Sequence, residues 1–153
     1  AEGKVLGYRH KSHVLESLSF GSYVWKFRKE GNKNAWTCSD SAVYQAYTDS
    51  ELCGFTFTDD AYIALFDLMK KAYDIHKWSC KNPRMPVLFI SGAEDPCLGN
   101  VRKFAGAVHA MRRAGYLDVK GKLYPGMRHE ILNEKGKERV WRDVVIYMKK
   151  KGF

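Results

Sequence analysis

Two side chains that could do acid–base chemistry, Asp95 and His129, each follow a predicted strand. A neutral imidazole can take a proton from a hydroxyl group and return it to a leaving group. It needs a carboxylate at its other ring nitrogen, which fixes the tautomer and stabilises the imidazolium. Loops at the carboxyl ends of neighbouring parallel strands can bring the two side chains together, so we treat them as a candidate pair.

The elements that must position this pair lie in the second half of the chain. Residues 87–90 are apolar at every position, between Pro86 and Gly92, which predicts a strand buried on both faces. A helix over about 99–113 follows, with Gly115 as its stop, and then a strand over about 119–124, nearer an edge. The last predicted helix, about 136–150, has a face expected to be buried: Val140, Trp141, Val144, Val145 and Met148. This β-α-β-α order predicts a parallel sheet.

The first half is predicted to be helical, and the polar segment 81–86 separates it from the second. We expect one helix over 13–27 with a break near Gly21, or two short helices, and then a short helix capped by Ser39-Asp40 that runs to about Tyr47. A third helix begins after Thr58 and ends near His76. Its broad apolar face is typical of core, although the wall of an acyl pocket would use the same residue types.

Composition limits the class of protein. The 153 residues carry a net charge of +9. Two basic runs, Arg112-Arg113 and 149–151, fall near the C-termini of predicted helices, where cations favour the helix dipole. An anionic membrane surface or an acidic partner is the alternative role for this charge. No nucleic-acid-binding module is recognisable and no run of 18 apolar residues occurs. The four cysteines lack metal-binding spacing, which indicates free thiols, no cofactor and a cytoplasmic location.

Two further segments carry a resemblance to a known family. Gly92-Ala93-Glu94-Asp95-Pro96 follows the first strand, and Tyr124-Pro125-Gly126 with Arg128-His129-Glu130 follows the second. Together with 36–40 and 49–55, these resemble the C-terminal part of serine α/β-hydrolases of the lysophospholipase, monoacylglycerol lipase and serine aminopeptidase group. The resemblance implies an incomplete α/β-hydrolase fold, with a helical cap or lid over 1–82 and the C-terminal part of the core over 83–153.

By the same resemblance, Asp95 is the acid and His129 the base of a catalytic triad, and the substrate is acyl or lipid-like. Glu94 is an alternative acid. Arg128 and Glu130 are expected to make structural hydrogen bonds rather than substrate contacts. The sequence departs from the family because the Gly-x-Ser-x-Gly nucleophile elbow is absent. We therefore expect a fragment that lacks the N-terminal part of the hydrolase core and is inactive alone.

Two other functions fit the same residues. The chain could be a non-catalytic basic interaction module that forms a homodimer by pairing its exposed strands. Alternatively, the fold could serve epoxide or haloalkane hydrolysis with an aspartate nucleophile on the absent elbow, although the Arg128-His129-Glu130 ending disfavours this chemistry.

Overall fold

A computed structural model describes residues 5–153. Its first half contains helices α1 (His13–Lys26), α2 (Ser41–Asp49) and α3 (Asp59–Ala72). Its second half runs β1 (Val87–Gly92), α4 (Val101–Arg113), β2 (Val119–Tyr124) and α5 (Lys137–Lys150). Short 3₁₀ turns occupy Arg28–Glu30, Ile75–Lys77 and Pro96–Leu98. The predicted order, helices followed by β-α-β-α, is confirmed.

Helices α2 and α3 begin directly after their predicted caps, whereas α3 ends earlier than predicted. The Asp40 side chain caps α2 by accepting a hydrogen bond from the Ala42 N–H at 3.1 Å. Thr58 stands at the N-cap of α3, but its hydroxyl bonds the Asp60 carboxylate instead of a backbone N–H. Helix α3 ends at Ala72 rather than near His76, because the chain turns there into the 3₁₀ segment Ile75–Lys77.

The predicted break in α1 near Gly21 is wrong. The helix is continuous from His13–Lys26, with the Ser12 hydroxyl accepting from the Leu15 N–H at 3.1 Å. A glycine inside a helix costs only about 1 kcal/mol relative to alanine. Aromatic contacts of Phe20 and Tyr23 with Trp36, at 6.0 and 5.5 Å between ring centroids, offset that cost.

The two strands of the described chain form a parallel sheet. Their register runs from Val87 opposite Val119 to Gly92 opposite Tyr124. Helix α4 connects them and packs on β2 so closely that a Cβ on Gly121 would lie 2.8 Å from the Phe104 ring. The prediction that β1 is buried on both faces is wrong, because 87–91 are only half-buried and Gly92 alone is buried.

The core consists of small separate clusters. Tyr124, Met127, Ile131 and Val140 form one beside β2 and α5, and Phe27, Ala35 and Tyr44 form another. The predicted buried face of α5 is wrong apart from Val140 and the half-buried Val144: Trp141, Val145 and Met148 are 46%, 48% and 47% exposed. In α3, Tyr62 is buried, while Ile63, Phe66 and Met69 are exposed. Nothing within the described residues covers these faces.

The division at residue 82 stays a prediction, and its first four residues lie outside the described part of the chain. Cys38, Cys53, Cys80 and Cys97 are all free thiols, as predicted. Across residues 5–153, no helix combines the length and the apolar character that crossing a membrane requires.

Candidate active site

The turn after β1 carries Asp95. The Ala93 N–H donates to the Tyr124 carbonyl at 2.9 Å, and the Glu94 N–H donates to the Met127 carbonyl at 3.0 Å, so the turn is fastened to the end of β2. Asp95 then caps the following 3₁₀ turn, its Oδ1 accepting from the Cys97 N–H at 2.8 Å. Its carboxylate is therefore held in one orientation and is 9% exposed.

Gly92 lets the two loops of the site approach each other. A Cβ at this position would lie 2.1 Å from the Arg128 carbonyl oxygen and 2.2 Å from the Met127 carbonyl oxygen. No side chain fits in this space, so glycine is required by close backbone approach rather than by a positive φ. The loop that carries His129 thus lies directly against the end of the strand that carries Asp95.

Asp95 and His129 meet as predicted from their order in the chain. His129 Nδ1 lies 3.0 Å from Asp95 Oδ2. Since a carboxylate only accepts, Nδ1–H donates and Nε2 is the ring nitrogen that faces any further reaction. Glu94, the alternative acid, has an exposed side chain and its backbone carbonyl accepts from Lys26 Nζ at 2.9 Å.

The electrostatics of the pair favour the ionised forms. The hydrogen bond to Asp95, followed by that to Cys97, raises the pKa of His129 to about 10, although partial burial lowers it. Burial raises the pKa of the Asp95 carboxyl, but the hydrogen bonds from His129 and the Cys97 N–H outweigh this, and the net pKa is lowered. An ion pair of this kind stabilises the imidazolium that a general base becomes after accepting a proton.

A clasp joins the histidine loop to segment 30–39. The buried Glu134 carboxylate accepts from the backbone N–H groups of Arg128, at 2.6 Å, and Ser39, at 2.9 Å, and from the Ser39 hydroxyl. The Glu130 N–H donates to the Thr37 carbonyl at 2.8 Å. We call these contacts the Glu134 clasp. Charge-assisted bonds of this type are stronger than neutral ones, so the loop is held firmly against the first half of the chain.

Arg128 is the second anchor of that loop, and its predicted structural role is confirmed. Its guanidinium pairs with the Glu30 carboxylate, donates to the Cys38 carbonyl at 3.0 Å and bonds the Ala35 carbonyl. It also lies 4.0 Å from the centroid of the Phe27 ring, in a cation–π contact. These contacts direct Arg128 away from His129 and leave the imidazole exposed beside it.

Two groups beside His129 were not identified from the sequence. The Cys97 thiol lies within 4.8 Å of ligand atoms of both Asp95 and His129. The Trp36 ring lies 5.3 Å from the His129 ring. Cys97 follows Asp95 by two residues, but only the folded loops bring it to the imidazole. Trp36 could have been singled out in the sequence, because it is the aromatic residue of segment 36–40, which carries part of the family resemblance.

The two serines that adjoin a glycine in the sequence, Ser22 and Ser91, both lie inside regular elements and not on a strand-to-helix turn. Ser91 lies within β1, and its Oγ is 3.4 Å from Asp95 Oδ2. Ser22 lies inside α1.

A cavity of about 820 Å³ lies between α1 and the connector after α2. Trp36 forms part of its wall and also contacts His129, so this ring stands between the cavity and the imidazole, although neither Asp95 nor His129 lines the cavity. Its lining is mostly apolar and aromatic, and it includes Phe20, Val24, Trp25, Tyr47, Leu52, Phe55 and Phe57.

Helices that precede a two-stranded parallel sheet, with a crossover helix between its strands, are consistent with a partial α/β-hydrolase fold. One solved structure, a thermostable carboxyl esterase from Bacillus coagulans in complex with glycerol, superposes with a TM-score of 0.82 at 18% identity. The superposition covers 97% of this chain and 49% of the esterase chain. A lipase in its open form superposes with a TM-score of 0.74 at 19% identity, over 91% of this chain and 45% of its own. At these identities the likeness shows the fold, and the chain spans about half the length of both structures.

The sequence itself matches the model of the S33 serine aminopeptidase family over residues 4–136. The chain therefore belongs to this hydrolase family. No curated protein matches the sequence.

Proposed function

We propose that this chain supplies the acid, the base and the lid of a serine hydrolase that acts on acyl or lipid-like esters, as lysophospholipases and monoacylglycerol lipases do. The 3.0 Å bond between Asp95 and His129 carries the proposal. The nucleophilic serine and the rest of the sheet would come from residues outside this sequence, in agreement with a chain that spans about half of similar structures. By itself the chain would be inactive.

In the proposed reaction, the serine hydroxyl attacks the ester carbonyl while His129 Nε2 takes its proton. His129 returns this proton to the departing alcohol, which leaves an acyl-serine. Water then attacks the acyl-serine with His129 again acting as base, and the carboxylic acid is released. Asp95 remains ionised throughout and holds Nδ1–H in place.

The pKa of His129 sets a condition on this mechanism. A general base must start neutral, but a pKa of about 10 keeps the imidazole protonated at pH 7. The base role therefore requires that docking of the serine-bearing segment lower this pKa. Burial of an exposed imidazole acts in that direction, because it disfavours the charged form.

The cavity beside Trp36 supports an acyl substrate. Its volume of about 820 Å³ lies within the usual range of ligand pockets, and its lining suits a hydrocarbon chain better than a charged peptide. The net charge of +9 would also favour peripheral contact with an anionic lipid surface that carries such substrates.

The first test is the coding sequence upstream of Ala1, where we expect a Gly-x-Ser-x-Gly segment. The polypeptide that includes it should hydrolyse p-nitrophenyl esters, whereas the 153-residue chain should not react with a fluorophosphonate probe. His129→Ala should lower kcat by at least about a thousandfold, as for other triad histidines.

His109→Ala is the matched control, since this exposed histidine lies on α4 away from Asp95. Equal activity of the parent and His129→Ala would remove His129 from the mechanism. A start codon immediately before Ala1 would count against the fragment.

The edges of the sheet favour a second candidate, a basic interaction module that forms a homodimer. In the part of the chain that is described, β1 and β2 pair only with each other, so each has an edge without a neighbouring strand. Such edges recruit strands from other chains. Light scattering after size exclusion tests this function: a dimer at micromolar concentration supports it, and a monomer contradicts it.

A further inference from the structure

The residues around His129 offer three metal-ligating atoms of different types. Asp95 contributes a carboxylate oxygen, Cys97 a sulfur and His129 a ring nitrogen, and these atoms all lie within 4.8 Å of one another. They come from two loops, the turn after β1 and the loop after β2, that Gly92 allows to pack together. The cluster is therefore held by the fold, not by local sequence spacing.

The donor set determines which cation fits. A thiolate and an imidazole favour zinc and similar borderline-soft ions, whereas Mg²⁺ and Ca²⁺ prefer oxygen ligands. With zinc bonds of about 2.0–2.3 Å, tetrahedral ligand atoms lie about 3.2–3.8 Å apart. Asp95 Oδ2 and His129 Nδ1, at 3.0 Å, need to separate only slightly, and the Cys97 sulfur, within 4.8 Å of both, can adjust by rotation of its exposed side chain. Three protein ligands leave the fourth position for water.

Surrounding contacts already orient the ligands. The Cys97 N–H holds Asp95 Oδ1 at 2.8 Å, and Ser91 Oγ lies 3.4 Å from Oδ2. Hydrogen bonds of this kind fix ligand orientation in metal sites. Cys97 and His129 are exposed, so a hydrated ion has a path to the site.

We propose that Asp95, Cys97 and His129 form a binding site for a zinc-like divalent cation, and that an ion bound there blocks His129. The ion takes the place of the proton between Asp95 and His129, and binding releases protons from the thiol and the imidazole to solvent. No oxidation or reduction occurs. The cation would thus be a reversible inhibitor of ester hydrolysis. This inhibition rests on the proposed function, whereas the binding of the cation does not depend on it.

The binding test uses the 153-residue chain and needs no activity. Co²⁺ added to the chain should produce a near-ultraviolet thiolate-to-cobalt absorption that saturates at one Co²⁺ per chain. Zn²⁺ should displace the Co²⁺, and a chelator should remove it, so that the absorption is lost in both cases. Cys97→Ser should remove this absorption. His129→Ala should weaken Co²⁺ affinity by at least about tenfold. Loss of a residue that only hydrogen-bonds to a metal ligand already weakens metal binding by about that factor, and loss of a ligand should weaken it more.

Cys80→Ser is the matched control, because Cys80 is a free and partly buried thiol that lies against Gly115, outside the cluster. It should keep the full absorption. Absorption that persists in Cys97→Ser, or an affinity unchanged by His129→Ala, would overturn the site.

The inhibition test uses the longer, ester-hydrolysing polypeptide. The ratio of rates with and without Zn²⁺ should fall well below one in the parent and return to one in Cys97→Ser. Cobalt binding without zinc inhibition would overturn the inhibitory consequence and leave the site standing. Absence of any hydrolysis would instead contradict the proposed function, so the two failures are distinguishable.

Discussion

Gly92 is the residue at which the end of β1 lies against the loop that carries His129. Two carbonyl oxygens of the histidine loop would lie 2.1 and 2.2 Å from any Cβ placed there. Because these are backbone atoms, they cannot move aside without shifting the loop that carries His129. The separation of Asp95 and His129 therefore depends on the absence of a side chain in β1.

Gly92→Ala should destabilise the chain by about 1–3 kcal/mol or more, the cost of overpacking a tight site. Urea unfolding followed by circular dichroism measures the change. Gly106→Ala is the matched control, since Gly106 lies in α4 and a methyl group added there would meet no atom within 4 Å. That substitution should stabilise by up to about 1 kcal/mol. Equal effects of the two would contradict the account of Gly92.

The sequence was sufficient to predict the Asp95–His129 pair, because each residue follows a strand and parallel strands end at the same edge of a sheet. It was not sufficient to predict Cys97. The position of its thiol depends on the 3₁₀ turn Pro96–Leu98, whose path is set by the Asp95 side chain capping it. The spacing of the cysteines in the sequence gives no indication that the Cys97 thiol lies beside His129.

Among the elements, the Glu134 clasp links the histidine loop to the segment before α2. The buried Glu134 carboxylate accepts three hydrogen bonds, and none of the three donors is a positively charged side chain. The negative charge is thus stabilised by N–H and O–H dipoles. Losing the charge would weaken every bond in the group at once.

Glu134→Gln should lower the free energy of unfolding by about 1.5–3 kcal/mol, since an amide N–H₂ must face one of these donors. It should also speed hydrogen exchange of the Glu130 N–H, which bonds to Thr37 across the clasp. Glu51→Gln, at an exposed position, should change stability by less than about 0.5 kcal/mol. An unchanged exchange rate at Glu130 would show that Glu134 does not hold the loop.

Element boundaries were predictable where a local signal sets them. Strand β2 spans Val119–Tyr124 as expected, and Asp40 caps α2 through its own side chain. The continuity of α1 through Gly21 was not predictable, because it depends on Trp36, which reaches the helix from a distant loop. A weak local penalty was outweighed by tertiary contacts.

At the scale of the whole molecule, the cluster around Tyr124 joins β2 to α5. Tyr124 is 1% exposed, and its hydroxyl lies 3.1 Å from Asp143 Oδ2. Burial, followed by the hydrogen bond to Asp143, raises the pKa of Tyr124 to about 12. The folded chain thus holds this phenolic proton more tightly than the unfolded chain, where the pKa is about 10.

Stability should therefore depend on alkaline pH through Tyr124. Its contribution is fully present below pH 10 and is lost as pH rises from about 10 to about 12, because the unfolded chain releases the proton first. The difference in unfolding free energy between the parent and Tyr124→Phe should shrink over that interval, as measured by urea unfolding at each pH. Tyr73→Phe, at a 75% exposed position, should show no such trend. A constant Tyr124→Phe difference would contradict the shifted pKa.

Burial was the property least accessible from sequence. The apolar faces of α3 and α5 were assigned to a core by their periodicity, yet Phe66 and Trp141 are each 46% exposed. Periodicity shows which residues share a face, whereas burial depends on what packs against that face. Similar structures are about twice as long as this chain, so their folds contain more elements than the described residues do.

The position of Trp36 gives the site an optical reporter of its own. Its indole ring lies 5.3 Å from the His129 ring and also borders the cavity. Imidazolium quenches indole emission more strongly than neutral imidazole, and an occupied cavity changes the polarity around the ring. The fluorescence emission of Trp36 should therefore change with the protonation state of His129 and with the binding of a ligand in the cavity, without any attached dye.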